Sequence, residues 1–203
     1  MWLTEILQHI IESGGGISAY AIGEGELQRR SYPNSFGGQY ETRGYELIEE
    51  IDLLNNAQRV AEEASALLDA PQCPSITTTL ILDGSQVALQ VHESIGHPIE
   101  LDRILGMEAS YAGTSFIGLE DFGRYQYGSP LLNISFDPGI PEELASYGHD
   151  DEGQPAQKEF LIRDGLLLRP LGGALSQWRS GLPGVANSRA CNWNRPPIDR
   201  MAN

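Results

Sequence analysis

Two histidines and a glutamate at residues 92–97 have the residue types of a metal-hydrolase centre. Neutral imidazoles at His92 and His97 can bind a cation, and the adjacent Glu93 can take a proton from a water molecule. Such a centre also needs an open coordination position for that water. The sequence therefore makes His92 and His97 candidate metal ligands and Glu93 a candidate general base.

The spacing of the two histidines raises a geometric problem. They are five residues apart, whereas the HExxH pattern places two histidines four apart on one helix face. A regular helix turns about 100° per residue, so His92 and His97 would point roughly 140° apart. We expect Gly96, through unusual dihedral angles, and Pro98, which disfavours helical geometry at His97, to distort the helix until both imidazoles converge. On spacing alone an alternative stays open, in which His92 faces the core or solvent and His97 precedes an ordinary turn.

A strand and a helix immediately upstream must position this segment. Residues 77–82 are rich in β-branched and aliphatic side chains, a composition that predicts a buried strand. Asp83 and Gly84 turn the chain, and Ser85 is the expected cap of the helix that carries His92. Residues 4–12 have apolar side chains at helical spacing and predict a first short helix that ends at the glycine run 14–16.

The remaining elements are expected to be short. Asn55 is the expected N-cap of an amphipathic helix to about residue 68, and residues 45–53 fit either a strand or a helix. Strands are expected at residues 17–22, 26–31 and 131–136, and a hairpin at 158–163 and 166–170 around Asp164-Gly165. This order predicts an α+β fold in which helices pack on a mixed or antiparallel sheet and the C-terminal half is rich in β-hairpins.

Composition argues against several classes of function. The 13 basic and 28 acidic residues give a net charge of −15, with Lys158 as the one lysine, so we expect no binding to nucleic acid. No apolar run approaches the roughly 18–20 residues that cross a bilayer, and residues 1–16 lack the basic start of a secretory signal. We therefore expect a cytoplasmic protein without membrane contacts. Cys73 and Cys191 are too few for a disulfide scaffold and are either reduced thiols or metal ligands.

Residues 91–98, Val-His-Glu-Ser-Ile-Gly-His-Pro, resemble the HExxxH motif of the TldD/PmbA family, once described as modulators of DNA gyrase. The similarity continues at residues 100–102, at 150–153 with the following hairpin 160–168, and at 196–203, which resembles the family's Pro-x-x-Arg-Met-x-Asn stretch. It covers the chain from about Ser35 onwards and is weaker before that. Several motifs in order are specific, whereas HExxxH alone is not. The histidine pair places the likeness closer to TldD than to PmbA, also called TldE, which lacks it.

The resemblance implies a zinc-dependent peptidase that cuts unfolded or small peptides. It implies that His92 and His97 bind zinc and that Glu93 activates water. The family's peptides bind as extended strands through their backbones, a mode of recognition by strand addition. The resemblance also implies a TldE/PmbA-like partner subunit that encloses the site. Self-association of this chain is also expected, because a missing C-terminal part would leave sheet edges or apolar patches exposed. The alternative is a non-catalytic structural or peptide-binding subunit of a TldD/TldE-like complex.

The resemblance also indicates that this chain is a central fragment. Residues 1–38 would be a remnant of the N-terminal domain with a linker, and residues 39–203 the central part of the metallopeptidase domain, truncated before its C-terminal portion. In the family the third zinc ligand is a cysteine, which is expected beyond Asn203. Cys191 does not lie in a similar motif. With two imidazoles alone zinc is held weakly, so it need not be retained by this chain.

Three further residues are candidates for a place near the metal. Either Glu100 or Asp102, close after His97, can orient a ligand imidazole, unless both belong to a solvated acidic face. His149 is either a polar residue of the site or a histidine of a surface loop.

Overall fold

The computed structural model describes residues 5–203, which form two compact units. One unit contains residues 10–89, and the other contains residues 90–203 together with the described residues up to His9. The domain boundary predicted between residues 38 and 39 rests on the family resemblance, whereas these two units are defined by compactness. That boundary stays a prediction.

The unit at residues 10–89 consists of two small antiparallel sheets and two helices. Strand β1 (Ser13–Gly15) pairs with β4 (Gln39–Glu41), and β2 (Ile17–Ile22) pairs with β3 (Leu27–Tyr32). Helices α1 (Glu46–Ile51) and α2 (Leu53–Ala66) follow, and α2 packs on the β2–β3 hairpin. Its apolar stripe buries Val60 and Ala64 there, as the amphipathic spacing predicts. The chain leaves this unit through α3 (Gly84–Val91).

The unit at residues 90–203 is built around a three-stranded antiparallel sheet of β5 (Ile134–Phe136), β6 (Glu159–Arg163) and β7 (Leu166–Leu167). Strands β6 and β7 form the predicted hairpin, and Asp164 and Gly165 turn it with φ angles of 50° and 77°. The unit also contains three helices, α4 (Leu101–Ile104), α5 (Ala109–Ala112) and α6 (Ala174–Ser180), and a small pair of strands, β8 (Ser188–Arg189) and β9 (Ile198–Asp199). Helix α4 contacts α6 and β9. The predicted α+β class is thus confirmed.

The core of this second unit brings the sheet and the histidine segment together. It is a cluster of nine buried apolar residues: Ile95, Ile99, Ile117, Phe136, Leu161, Ile162, Leu167, Leu171 and Val185. Burial of a large aliphatic side chain contributes about 1.5–3 kcal/mol. The cluster therefore anchors residues 95–99, which include His97, to the sheet.

Two predicted elements are absent from the fold. Residues 5–12 form no helix, and Thr4 lies outside the described residues; Leu7 and Ile11 are exposed, and a helix this short is unstable without an apolar surface to cover. Residues 77–82 form no strand, and Leu80 and Ile81 are 74% and 91% exposed. A strand needs a neighbour for its backbone hydrogen bonds, and within the described chain this segment has none.

The two predicted helix caps also differ from the structure. Asp83, not Ser85, caps α3: its Oδ1 accepts hydrogen bonds from the Gln86 N–H at 3.1 Å and the Ser85 hydroxyl at 2.8 Å. Helix α2 begins two residues before Asn55, whose side-chain amide donates back to the Asp52 carboxylate. No helix within residues 5–203 is long and apolar enough to cross a membrane.

Candidate metal centre

The two histidines lie on a widened helical turn. Residues His92–Gly96 form a π-helical turn that follows α3 directly, and the His97 N–H donates to the His92 carbonyl five residues earlier. Because such a turn holds more residues than an α-helical turn, positions five apart come to lie one above the other. The rings of His92 and His97 are 4.6 Å apart between centroids and nearly perpendicular. The predicted distortion that brings both imidazoles together is therefore present.

Gly96 plays a different part in this turn from the one the sequence suggested. Its dihedral angles are φ −55° and ψ −62°, and those of His97 are φ −59° and ψ −42°, so both residues keep right-handed helical geometry. A Cβ atom at Gly96 would overlap the Sδ atom of Met201. Gly96 is thus required for close packing by Met201 rather than for an unusual backbone angle.

Pro98 acts on the turn through a missing donor. It has no N–H, so the Ser94 carbonyl, four residues earlier, receives no helical hydrogen bond from it. The Tyr127 hydroxyl donates to this carbonyl instead. Burial raises the pKa of Tyr127 to about 12, so that its hydroxyl stays protonated and remains a donor. A side chain from a distant loop thus supplies a donor where Pro98 has none.

His92, Glu93 and His97 form a cluster with donor atoms that can share a metal ion. One donor atom from each lies within 4.8 Å of the others. Two donors bound to one zinc ion at about 2.0–2.1 Å would lie roughly 3.4 Å apart in a tetrahedral site, so these donor atoms would move closer together to share one ion. Burial lowers the pKa of His92, and the neighbouring His97 lowers it further. A neutral imidazole is the form that binds a metal, so the residues present fit a divalent ion of the zinc type.

Glu100 lies behind His97, at a point where the chain is fixed by the backbone of a distant residue. The Leu101 N–H donates to the Leu171 carbonyl at 2.8 Å, and the Leu171 N–H donates to the Ile99 carbonyl at 2.9 Å. Glu100 is completely buried between these bonds, and its Oε2 lies 3.0 Å from His97 Nδ1. Burial raises the pKa of Glu100, while the hydrogen bond with His97 and the charge of Arg200 oppose that shift.

Asp102 is also buried, but its carboxylate contacts Asp199 and not a histidine. Its Oδ2 accepts from the Asp199 N–H at 3.0 Å, while Asp199 Oδ2 accepts from the Asp102 N–H at 3.2 Å. Burial raises the pKa of Asp199 to about 7, although the Gly173 N–H, donating at 2.7 Å, opposes the shift. This reciprocal pair ties the start of α4 to β9. Because Glu100 and Asp102 are both buried, the expectation of a solvated acidic face is wrong.

Comparison with known proteins now identifies the family. The family model described as the PmbA/TldA metallopeptidase C-terminal domain matches residues 75–203. The chain belongs to the TldD/PmbA family. Metalloprotease slr0863 of Synechocystis is 34% identical over 161 residues, which cover 79% of this chain and 33% of that protein. The metalloprotease TldD homolog of Haemophilus influenzae is 29% identical over 147 residues, which cover 72% of this chain and 29% of that protein.

Two solved structures share the fold of this TldD/PmbA chain. A Thermotoga maritima protein described as a modulator of DNA gyrase matches with a TM-score of 0.61 and 20% identity, over 92% of this chain and 38% of that one. TldE from Thermococcus kodakarensis matches with a TM-score of 0.53 and 14% identity, over 90% and 37%. The chain spans about a third of the length of the curated relatives named above. It is thus similar to one part of larger proteins.

The other residues singled out from the TldD/PmbA sequence lie outside the cluster. Within residues 5–203, the group of His92, Glu93 and His97 includes neither cysteine. Cys191 and Cys73 are exposed free thiols. The backbone of His149 forms a bridge with Pro155, and its carbonyl accepts from the Gln8 side chain, so this residue belongs to a folded loop.

Three residues around the TldD/PmbA histidines could not be identified from sequence alone. Tyr127 lies 30 residues after His97, and Arg103 and Arg200 meet Glu100 from two different segments. The one available signal was the Pro-x-x-Arg-Met-x-Asn likeness, which marks Arg200 and Met201 without indicating what they contact. Asp150 shows the same limit: it is buried and accepts hydrogen bonds from the N–H groups of Glu152, Gln154 and Ser188.

Proposed function

We propose that this chain carries the zinc-binding segment of a TldD-type peptidase that hydrolyses unfolded or small peptides. The observation that supports it best is the π-helical turn, which brings His92, Glu93 and His97 within 4.8 Å of one another. A turn of this kind inside a helix frequently marks a functional site. The relatives from Synechocystis and Haemophilus influenzae are both named as metalloproteases, which supports the same class of reaction.

Each of the three residues has a distinct part in this proposal. His92 and His97 would hold the ion through one ring nitrogen each, and a zinc ion held there would supply the Lewis acidity that makes a water molecule acidic near neutral pH. Glu93 is exposed to solvent, so its carboxylate can take a proton from water and return it to the leaving amine. His97 is partly buried, whereas His92 and Glu93 are exposed, so the base and one ligand stay accessible from solvent.

We further propose that the substrate is a peptide in extended conformation, and that a TldE/PmbA-like subunit or a second copy of this chain encloses the site. A backbone-binding mode suits substrates of mixed sequence, because strand addition depends on main-chain hydrogen bonds. The exposed large side chains Leu131, Trp178 and Trp193 offer apolar surface to such a partner. A cytoplasmic location stays a prediction.

A second candidate is a non-catalytic peptide-binding or structural subunit. The observation that favours it is the ligand count: with Glu93 as the base, the described residues of the cluster supply two protein ligands. Catalytic zinc sites usually have three. Glu93 is the general base in the first candidate and has no catalytic role in the second. The substitution Glu93→Gln therefore distinguishes them.

The deciding experiment measures zinc content and peptide hydrolysis of the whole chain together. Elemental analysis gives the zinc content, and an unstructured peptide with a fluorophore and a quencher reports cleavage. We expect Glu93→Gln to retain zinc but to lose activity by about 100-fold to 10,000-fold, because a general base is removed. His92→Ala and His97→Ala should lose both. The exposed Glu120 supplies the matched control, Glu120→Gln, which should change neither.

Two outcomes would contradict the peptidase proposal. A chain that binds peptide without zinc, and is indifferent to Glu93→Gln, is a binding module. A chain whose zinc content is unchanged in His92→Ala and His97→Ala holds its metal elsewhere.

A further inference from the structure

Glu100 makes its polar side-chain contacts through a single oxygen. The residue is completely buried, and Oε1 has no hydrogen-bond partner among the described residues. Oε2 lies 3.0 Å from His97 Nδ1 and 2.8 Å from the Nε of Arg103. The oxygen that meets the histidine is thus the one that anchors the carboxylate, so the position of Glu100 and that of the His97 ring depend on each other.

Two arrangements of protons are compatible with these distances. Arg103 Nη2 lies 3.0 Å from the same His97 Nδ1 that faces Glu100. If Nδ1 carries the proton, it donates to Glu100, and Nε2 keeps a free lone pair. If Nδ1 is bare, Arg103 donates to it, and Nε2 carries the proton instead. Only the first arrangement leaves Nε2 able to bind a metal ion.

The charges around Glu100 favour the first arrangement. Arg103 and Arg200 both face Oε2, at 2.8 Å and 3.6 Å, and Glu108 binds Arg200 with contacts of 2.7 Å and 3.2 Å. Two guanidinium groups opposite a buried carboxylate stabilise it as an anion, which is a stronger acceptor than a neutral group. Arg103 is already held by the hydrogen bond from its Nε to Glu100, so its position does not depend on a hydrogen bond from Nη2 to the ring.

We propose that Glu100 is a positioning residue that accepts a hydrogen bond from the Nδ1–H of His97 and so presents Nε2 to the metal. Arg103 and Arg200 hold Glu100 in place, and Arg200 thereby links residues 198–203 to the metal centre. The inference rests on the proposed function, because presenting Nε2 has a use only if a metal ion binds there. The proton position itself is a property of the metal-free chain and is measured without zinc.

The first test uses the metal-free chain with ¹⁵N-labelled histidine. Two-bond ¹H–¹⁵N correlations, recorded where the ring is neutral, distinguish a proton on Nδ1 from one on Nε2. We expect His97 to carry its proton on Nδ1 in the unmodified chain. A proton mainly on Nε2 would overturn the proposal without any variant. A chain that has the Nδ1 proton but binds peptide without zinc, and is unaffected by Glu93→Gln, would contradict the proposed function and leave this inference intact.

The second test compares two substitutions in the same network. Glu100→Gln keeps the size of the side chain and removes its charge, so His97 should shift towards the Nε2–H form and zinc affinity, measured by chelator competition, should fall about 10-fold to 100-fold. Glu108→Gln is the matched control, because Glu108 contacts Arg200 at 2.7 Å and Arg103 at 3.8 Å but does not contact His97. It should leave the proton position unchanged and zinc affinity within about twofold. Equal effects of the two variants would show that only the charge of the network matters, and would overturn the proposal.

Discussion

Two neighbouring segments of this chain are rich in aliphatic residues and have opposite fates. Residues 95–101 bury Ile95, Ile99 and Leu101 almost completely, whereas Leu80 and Ile81 of residues 77–82 are largely exposed. The first segment receives contacts from far along the chain, among them the backbone of Leu171. The second has no strand partner among the described residues. Apolar composition indicates which segments favour burial, but a partner elsewhere in the sequence decides whether burial occurs.

The shape of the buried segment, as well as its burial, comes from such partners. The π-helical turn at His92–Gly96 has the Sδ of Met201 packed against Gly96 and the Tyr127 hydroxyl on the Ser94 carbonyl. Both contacts come from at least 30 residues away. The exposed segment has the local preferences of a strand and no such contacts. Three substitution pairs test how strongly this difference affects stability.

The largest effect is expected from shortening one isoleucine in each segment. Ile99→Ala removes three carbon atoms from a fully buried position in the core cluster, so the free energy of unfolding should fall by about 2–5 kcal/mol. Ile81→Ala is the matched change at a position that is 91% exposed, and it should lie within about 0.5 kcal/mol of the unmodified chain. Urea unfolding followed by circular dichroism measures both. A loss above about 1 kcal/mol for Ile81→Ala would mean that residues 77–82 are buried in solution.

Sequence reasoning was most successful where a pattern is local. The hairpin around Asp164-Gly165 follows from turn chemistry. The strands predicted at residues 17–22 and 26–31 are found at Ile17–Ile22 and Leu27–Tyr32. The convergence of His92 and His97 was also predicted, because five-residue spacing is incompatible with a shared ion on a regular helix. The physical cause was wrong, since Gly96 and His97 keep helical angles.

The features that escaped prediction depend on contacts between distant residues. Nothing in the local sequence indicates that Arg200 reaches Glu100 and Glu108. Nor does it indicate that the carboxylates of Asp102 and Asp199 each accept a hydrogen bond from the other residue's N–H. The strand predicted at residues 77–82 failed for the complementary reason. Strand preference depends strongly on context, and the local sequence does not show whether a neighbouring strand is present.

A smaller effect is expected from filling the space at Gly96. In an ordinary helix, Gly→Ala stabilises by up to about 1 kcal/mol. Here the new methyl group would overlap Met201 Sδ, and overpacking costs about 1–3 kcal/mol, so Gly96→Ala should destabilise. In a Met201→Ala background the same change should become neutral or stabilising. Gly139→Ala is the control, because the nearest atom, Asp137 Oδ1, is 3.6 Å from its added Cβ. If Gly96→Ala costs the same in both backgrounds, Met201 is not what shapes the turn.

The smallest effect is expected at the hydroxyl that closes the turn. Tyr127→Phe keeps the ring, which packs edge-on against Tyr125, and removes only the donor to the Ser94 carbonyl. An ordinary hydrogen bond contributes about 0.5–1.5 kcal/mol, and the freed carbonyl can recruit water, so the loss should lie at the lower end of that range. Tyr111→Phe, at a ring that is 86% exposed, should change stability by less than about 0.5 kcal/mol. Hydrogen exchange at the His97 amide gives the sharper measurement, because this N–H spans the turn to the His92 carbonyl. Faster exchange in Tyr127→Phe alone would show that a distant side chain holds the two histidines together; unchanged exchange would show that the turn is stable without it.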